Sequence, residues 1–375
     1  MEASTKRNKQ GATGCSSASV VSRRGFTLVE LLTVIVIIGI LAGLISAAAI
    51  PAIRAAKRAT IKAEIAQLSA SLEAYKTKFG DYPPDFAGVN DGNQTSTTPL
   101  EADMRDAVLR HFRKAFPKYT PGACNNHGAT NDPYIRLMCD INYATKADPS
   151  DSTWNTGIPP YQPPDRGGLS PATAMVFLLG GPPAPKGSPT KLLGFSANPA
   201  NPFARGGSRL QPLYEFDETR LVIDYHTNND GPASFAYYIP PHIQQTDDGS
   251  KAPYVYFRPR NSNYQMTYSS GSSTYYELPF FWQSQEQGVC LPYAETVTFD
   301  GSNNVTDITR WAEPKKFQII CAGLDGIYTA LPNRPSQVPI ENTRYLNTNG
   351  GNIGPEEADN LTSFIEGRLE DRPEK

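Results

Sequence analysis

The sequence predicts an α+β protein. One long N-terminal helix, transmembrane in its first half and amphipathic in its second, packs on an antiparallel β-sheet head with long loop insertions. Three observations carry this expectation. From Phe26 to Ile50 run 25 residues with Glu30 as the only charge. From Ile61 to Phe79 apolar residues recur at helical spacing. Beyond Leu210, short strand-like runs are separated by turns rich in Asn, Asp, Gly and Pro.

The apolar run makes about 37 Å of helix, enough to cross roughly 30 Å of hydrocarbon. It is the one window of spanning length. A mean hydropathy of −0.43, with 33 Pro and 30 Gly, describes a loop-rich globular remainder and excludes a multi-pass protein. Lys6, Arg7, Lys9, Arg23 and Arg24 precede the span, whereas Arg54, Lys57, Arg58 and Lys62 follow it. Charge bias therefore gives a cytoplasmic N-terminus only a weak preference. A plain secretory signal would end in a small-residue cleavage site after 7–15 apolar residues; here the run is longer and continues into a helical pattern. An acid near a bilayer centre costs roughly 2.5–3.5 kcal/mol, so Glu30 needs a purpose.

Arg23-Arg24-Gly25-Phe26-Thr27-Leu28-Val29-Glu30 resembles the processing motif of type IV prepilins and type II secretion pseudopilins. The resemblance implies cleavage between Gly25 and Phe26 by a prepilin peptidase and N-methylation of the new terminus at Phe26. Glu30 then stands one helical turn from a cationic amine, the spacing at which opposite charges meet. In the family this acid pairs with the amine of a neighbouring subunit, and buried charges persist only when paired. Glu30 is thus the expected assembly residue. The same likeness divides the chain into a leader (1–25), a transmembrane assembly helix (26–50), its amphipathic continuation (51–80) and an extracytoplasmic head (81–375). Gly39 and Gly43 form a G-x-x-x-G pair that allows close helix approach. Pro51 removes one backbone bond and can kink or loosen the helix.

Ile61, Ile65, Leu68, Leu72, Tyr75 and Phe79 recur at spacings of 4, 3, 4, 3 and 4, with polar residues between them. That is one narrow apolar stripe, stopped by Gly80, Pro83 and Pro84. Thr98-Pro99-Leu100-Glu101 has capping-box spacing and opens a helix through Met104, Val108, Phe112 and Phe116 that ends before Pro117. Ser170-Pro171 opens a short helix, Ala172 to Leu179, closed by Gly180-Gly181 and apolar nearly all round. Strands are expected at Arg220 to Tyr225, Ser234 to Ile239, Tyr254 to Arg258 and Phe317 to Cys321, with an exposed loop or irregular hairpin at Ser262 to Tyr276.

Cys15 would leave with the leader, so Cys124, Cys139, Cys290 and Cys321 remain. An even number in an exported head permits two disulfides. Sequential pairing, Cys124 with Cys139 and Cys290 with Cys321, is favoured, and buried free thiols are the alternative. None of the four His has metal-ligand spacing. There is no G-x-S-x-G elbow and no phosphate loop, so no enzyme is expected.

The run Phe317 to Gly326, with its Gly323-Leu324-Asp325-Gly326 turn, resembles the last strand and turn of major pseudopilins, and Glu356-Glu357-Ala358-Asp359 resembles the acidic segment after it. The resemblance implies calcium, a hard cation held by oxygens. On that likeness Asp325 and Asp359 would be the side-chain ligands and Glu357 a further candidate. About thirty residues separate the two parts, more than in the compact family loop.

Removing the leader takes five basic residues and Glu2, leaving 30 basic against 36 acidic residues. An acidic head does not predict nucleic-acid binding, which needs clustered Lys and Arg. The resemblance implies a structural subunit of a type II secretion pseudopilus, anchored in the inner membrane and building a periplasmic filament that drives protein export. Its partners would be the prepilin peptidase, other pilin or pseudopilin subunits and the inner-membrane assembly platform. A type IV pilin for adhesion or motility is the alternative, followed by a membrane-tethered binding head.

Overall fold

The computed structural model describes residues 25–87, 99–121, 133–145, 169–225, 234–247, 249–270, 273–282, 286–302, 304–329, 338, 340–346, 354–355 and 357–371. The chain divides into two compact units, Met1–Arg54 and Ala55–Lys375. The division falls inside the first helix, α1 (Leu28–Phe79, 52 residues).

In the first unit α1 runs without interruption through Pro51. Every large apolar side chain from Phe26 to Ile53 is exposed. Among the described residues α1 is the one helix long and apolar enough to cross a membrane. Such a surface is stable only in lipid or against other apolar helices.

In the second unit the expected stripe faces the core. Ile61, Ile65, Leu68, Leu72 and Tyr75 are all buried, and Phe79 packs on the core's edge. Each buried aliphatic side chain contributes about 1.5–3 kcal/mol, so these positions bind the helix into the head. Gly80, at φ 80°, ends the helix, and its N–H donates to the Lys76 carbonyl at 2.7 Å.

Helix α2 (Pro99–Ala115) stops before Pro117, as its sequence predicts, and buries Val108 and Phe112. Its expected cap, Thr98, lies outside the described residues. Helix α3 (Pro133–Thr145) was not anticipated, yet Tyr134, Leu137, Met138 and Ile141 form a buried face at helical spacing. Helix α4 (Ala174–Gly180) has all seven residues buried. It follows a reciprocal pair of bonds: Ser170 N–H donates to Thr173 Oγ1 at 2.9 Å and Thr173 N–H to Ser170 Oγ at 3.4 Å. Gly181, at φ 83°, closes it by donating to the Phe177 carbonyl.

The strands are β1 (Leu221–Tyr225), β2 (Ser234–Tyr238), β3 (Val255–Phe257), β4 (Met266–Ser270), β5 (Ser273–Glu277) and β6 (Phe281–Trp282). Then come β7 (Val289–Cys290), β8 (Tyr293–Phe299), β9 (Val305–Trp311), β10 (Gln318–Cys321), β11 (Arg344–Tyr345) and β12 (Leu361–Thr362). The four expected strands correspond to β1, β2, β3 and β10, and the uncertain Ser262 to Tyr276 segment contains the β4–β5 hairpin.

The single sheet expected is instead divided. The described strands form sheets ordered β12-β10-β3 and β11-β8-β9, and the hairpins β1-β2, β4-β5 and β6-β7. All these pairings are antiparallel except β11 with β8. Proline lacks the ladder donor, and Pro253, Pro259, Pro279 and Pro292 fall between successive strands, keeping them short. Strand β10 lies in the middle of its sheet and all four of its residues are buried.

Candidate functional site

Gly25 and Phe26 are exposed at the start of α1. Thr27 caps the helix with Glu30. The Glu30 N–H donates to Thr27 Oγ1 at 3.2 Å, while the Thr27 N–H and hydroxyl donate to Glu30 Oε2 at 2.9 and 2.8 Å. Thr-x-x-Glu at a helix start is the capping-box pattern, a reading that the processing motif hides. Glu30 Oε1 keeps no partner among the described residues, so one carboxylate oxygen remains open to a cation. Along the helix, a Cβ added to Gly39 or Gly43 would meet nothing within 4 Å; both lie on open helix surface.

A family model described as the prokaryotic N-terminal methylation motif matches residues 21–46. That range contains the Gly25–Phe26 junction, Glu30 and the start of the exposed apolar helix.

The chain fits a type IV pilin-like protein.

No curated protein and no solved structure matches the chain. The motif implies processing by a prepilin peptidase and assembly with other pilin-like subunits. Together with the motif, the long apolar helix suggests a membrane-anchored chain with one span among the described residues.

Asp325 and Asp359 both hydrogen-bond within the turn after β10. Asp325 Oδ1 accepts the Ile327 N–H at 3.0 Å, and Asp359 Oδ2 accepts the Leu324 N–H at 2.9 Å. Gly323, at φ 69°, lets the Asp359 carboxylate close in: a Cβ there would stand 2.1 Å from Asp359 Oδ1. That oxygen is shut off from solvent and has no hydrogen-bond partner among the described residues. Asp325 caps the same turn, and an orphaned carboxylate oxygen is the type of donor a hard cation takes. Glu357 does not fit, because Arg344 Nε lies 3.2 Å from its Oε1 and the Gly354 N–H donates to its Oε2 at 3.0 Å. Among the described residues no three His, Cys, Asp or Glu side chains stand together as a metal site. An ion at this turn would therefore rest on Asp325, Asp359, backbone carbonyls and water.

The cysteine expectations divide. Cys139, on α3, is disulfide-bonded, and Cys124 lies outside the described residues. Cys290 and Cys321 are both free and buried, which corrects the pairing expected between them. They sit in β7 and β10, strands of different sheets, and act as small apolar core residues. Burial pushes both thiols well up from their usual value, so they stay protonated and unreactive.

One buried charged cluster of the head was missed in the sequence. Glu64 lies on the core side of α1, 8% exposed. Arg220, which immediately precedes β1, donates from Nη1 to Glu64 Oε2 at 2.8 Å and pairs with Oε1 through Nη2. The Tyr238 and Tyr254 hydroxyls donate to Oε1 and Oε2, each at 2.7 Å. Burial works to raise the Glu64 pKa, but the bonds from Arg220, Tyr238 and Tyr254 outweigh it and hold the carboxyl below its usual value. Two residues earlier, Lys62 Nζ donates to the carbonyl oxygens of Thr362 (2.5 Å) and Ile365. Glu64 stands next to Ile65 of the apolar stripe, which is the one sequence signal that it faces inward.

Proposed function

We propose that this chain is a structural subunit of a type II secretion pseudopilus. It inserts with its N-terminus in the cytoplasm and its head outside the inner membrane. The peptidase cuts between Gly25 and Phe26, and Phe26 is N-methylated. The chain then enters a filament whose growth drives protein export. The supporting observation is the methylation motif on a helix whose apolar residues from Phe26 to Ile53 are all exposed, with Glu30 as the sole charge from Phe26 to Ile50.

Glu30 supplies the assembly step. In the capped helix its Oε2 is held by Thr27, and Oε1 is left for the α-amine of a neighbouring subunit's processed terminus. The pairing neutralises two charges that lipid would otherwise expel. The turn at Asp325 and Asp359 is the family-like feature that favours the pseudopilin over a surface pilin, and calcium there would brace the loop after β10. With Cys290 and Cys321 free, the pilin alternative loses the disulfide-bounded loop that would have supported it.

Glu30→Ala tests the assembly role. The variant should be inserted and cleaved normally, with its head folded, yet fail to enter filaments sheared from cells. Normal filament incorporation would remove Glu30 from the assembly step. Long surface fibres containing the chain would favour the pilin.

A further inference from the structure

The cations that follow the span have no part in processing or in the Glu30 pairing. Between Glu30 and Glu64 the chain carries no acidic residue, yet it carries Arg54, Lys57, Arg58 and Lys62. With a cytoplasmic N-terminus they stand on the side where charge bias disfavours Lys and Arg. Lys62 is satisfied inside the head, where its Nζ donates to the Thr362 and Ile365 carbonyls. Lys57 and Arg58 are different. Neither makes an ion pair or a side-chain hydrogen bond among the described residues, and Arg58 Nε, shut off from solvent, has no partner there. The exposed acid Glu366 acts on Lys62.

Both residues belong to the head unit and lie on one side of α1. Lys57 stands four residues before Ile61, and Arg58 stands seven before Ile65, so they continue the buried stripe by one turn. The face that is apolar from Ile61 onward is cationic just before it. Ala55, Ala56 and Ala59 beside it are exposed and too small to screen it. Ile53, the last of the exposed large apolar residues of α1, lies four residues before Lys57. Four or five helical residues rise roughly 6–8 Å, and the polar layer on each side of the hydrocarbon is about 5–7 Å deep. Long Lys and Arg stems can reach back toward that layer. Insertion of the span therefore brings both cations within reach of lipid phosphates.

We propose that Lys57 and Arg58 form a docking surface for anionic phospholipid headgroups, tethering the start of the head to the bilayer surface before the subunit enters a filament. The proposal rests on the reading of the chain as membrane-anchored. The guanidinium meets a phosphate with its planar fork and the ammonium meets it as a point charge. Each cation near an anionic surface strengthens binding by about fivefold. An inserted span keeps that surface permanently beside these residues, whereas an acidic partner protein would have to be brought there.

The test replaces exposed Ala56 by the photoactivatable residue p-benzoylphenylalanine in the full chain, reconstituted in vesicles of phosphatidylcholine and phosphatidylglycerol in equal parts. Resistance to carbonate extraction reports membrane insertion separately. Illumination followed by mass spectrometry identifies what lies beside Lys57 and Arg58. Phosphatidylglycerol adducts should outnumber phosphatidylcholine adducts by about fivefold or more. Lys57→Gln with Arg58→Gln should bring the two to parity. Lys186→Gln with Lys191→Gln, exposed cations elsewhere on the head, should leave the excess in place. In an inserted chain, parity without the Lys57 and Arg58 substitutions overturns the proposal and leaves the membrane anchor standing. So do crosslinks to another copy of the chain in place of lipid. Extraction by carbonate would instead remove the anchor itself, and the docking surface with it.

Discussion

Arg220 Nη1 lies 2.8 Å from Glu64 Oε2, joining residues 156 apart in the chain. The contact ties the second half of α1 to the start of the β1–β2 hairpin. The two side chains are 22% and 10% exposed, so the pair sits where water screens poorly.

Removing one partner strands the other. Glu64→Ala and Arg220→Ala should each destabilise the head by about 3–5 kcal/mol. The double substitution should cost less than the two single losses together, because the stranded charge is gone. Denaturant melts of the detergent-solubilised chain measure all three, and single losses below about 1 kcal/mol would place the pair in effective contact with solvent.

The contact between α1 and α2 predicts acid sensitivity. His111 Nε2 lies 2.8 Å from the Tyr75 hydroxyl, and burial, aided by the Arg258 charge, pushes its pKa from 6.5 down to about 3. Below pH 6.5 the unfolded chain takes up a proton that the folded one refuses until near pH 3. Stability should therefore fall on acidification through this window, approaching about 1.4 kcal/mol per pH unit from this group. Glu64, whose folded pKa is lowered from 4.5, adds a second loss as pH drops below that value. His111→Gln keeps a polar partner for Tyr75 and should flatten the first limb; an unchanged slope in that variant would assign the limb to other groups.

Calcium gives a separate prediction. A free concentration of 100 times the dissociation constant should stabilise the folded chain by about 2.7 kcal/mol, raising its melting temperature. Chelator should reverse the rise, and Asp359→Ala should abolish the response. A melting temperature indifferent to calcium and chelator removes Asp325 and Asp359 as ligands.

Local chemistry made much of the fold legible. The stripe from Ile61 to Phe79, the stop at Gly80, the end of α2 before Pro117 and the buried α4 all rest on spacing, glycine or proline, which act within a few residues. Helix α3 carried its own periodic signal in Tyr134, Leu137, Met138 and Ile141. The β8–β9 hairpin likewise carried an Asp300-Gly301 turn, in which Asp300 Oδ1 accepts the Ser302 and Asn304 N–H groups at 2.8 Å each.

Long-range features were harder to read. Glu64 resembles an ordinary helix-surface acid until Arg220 and Tyr254, 156 and 190 residues away, are folded against it. Cys290 and Cys321 looked like a disulfide by count, whereas core packing in separate sheets decided otherwise. Of the N-terminal site, the motif from Gly25 to Glu30, which falls inside the matched residues 21–46, was legible. The Thr27 cap was also spelled out, but its letters overlap the processing motif.

The most direct test of the central claim is the intact mass and N-terminal sequence of the protein taken from its native membrane. The account predicts a chain that begins at N-methylated Phe26, having lost the 25 residues through Gly25. A chain that still begins at Met1, or one cut beyond residue 45, would contradict processing at the Gly25–Phe26 junction and remove the basis for Glu30 as an assembly residue.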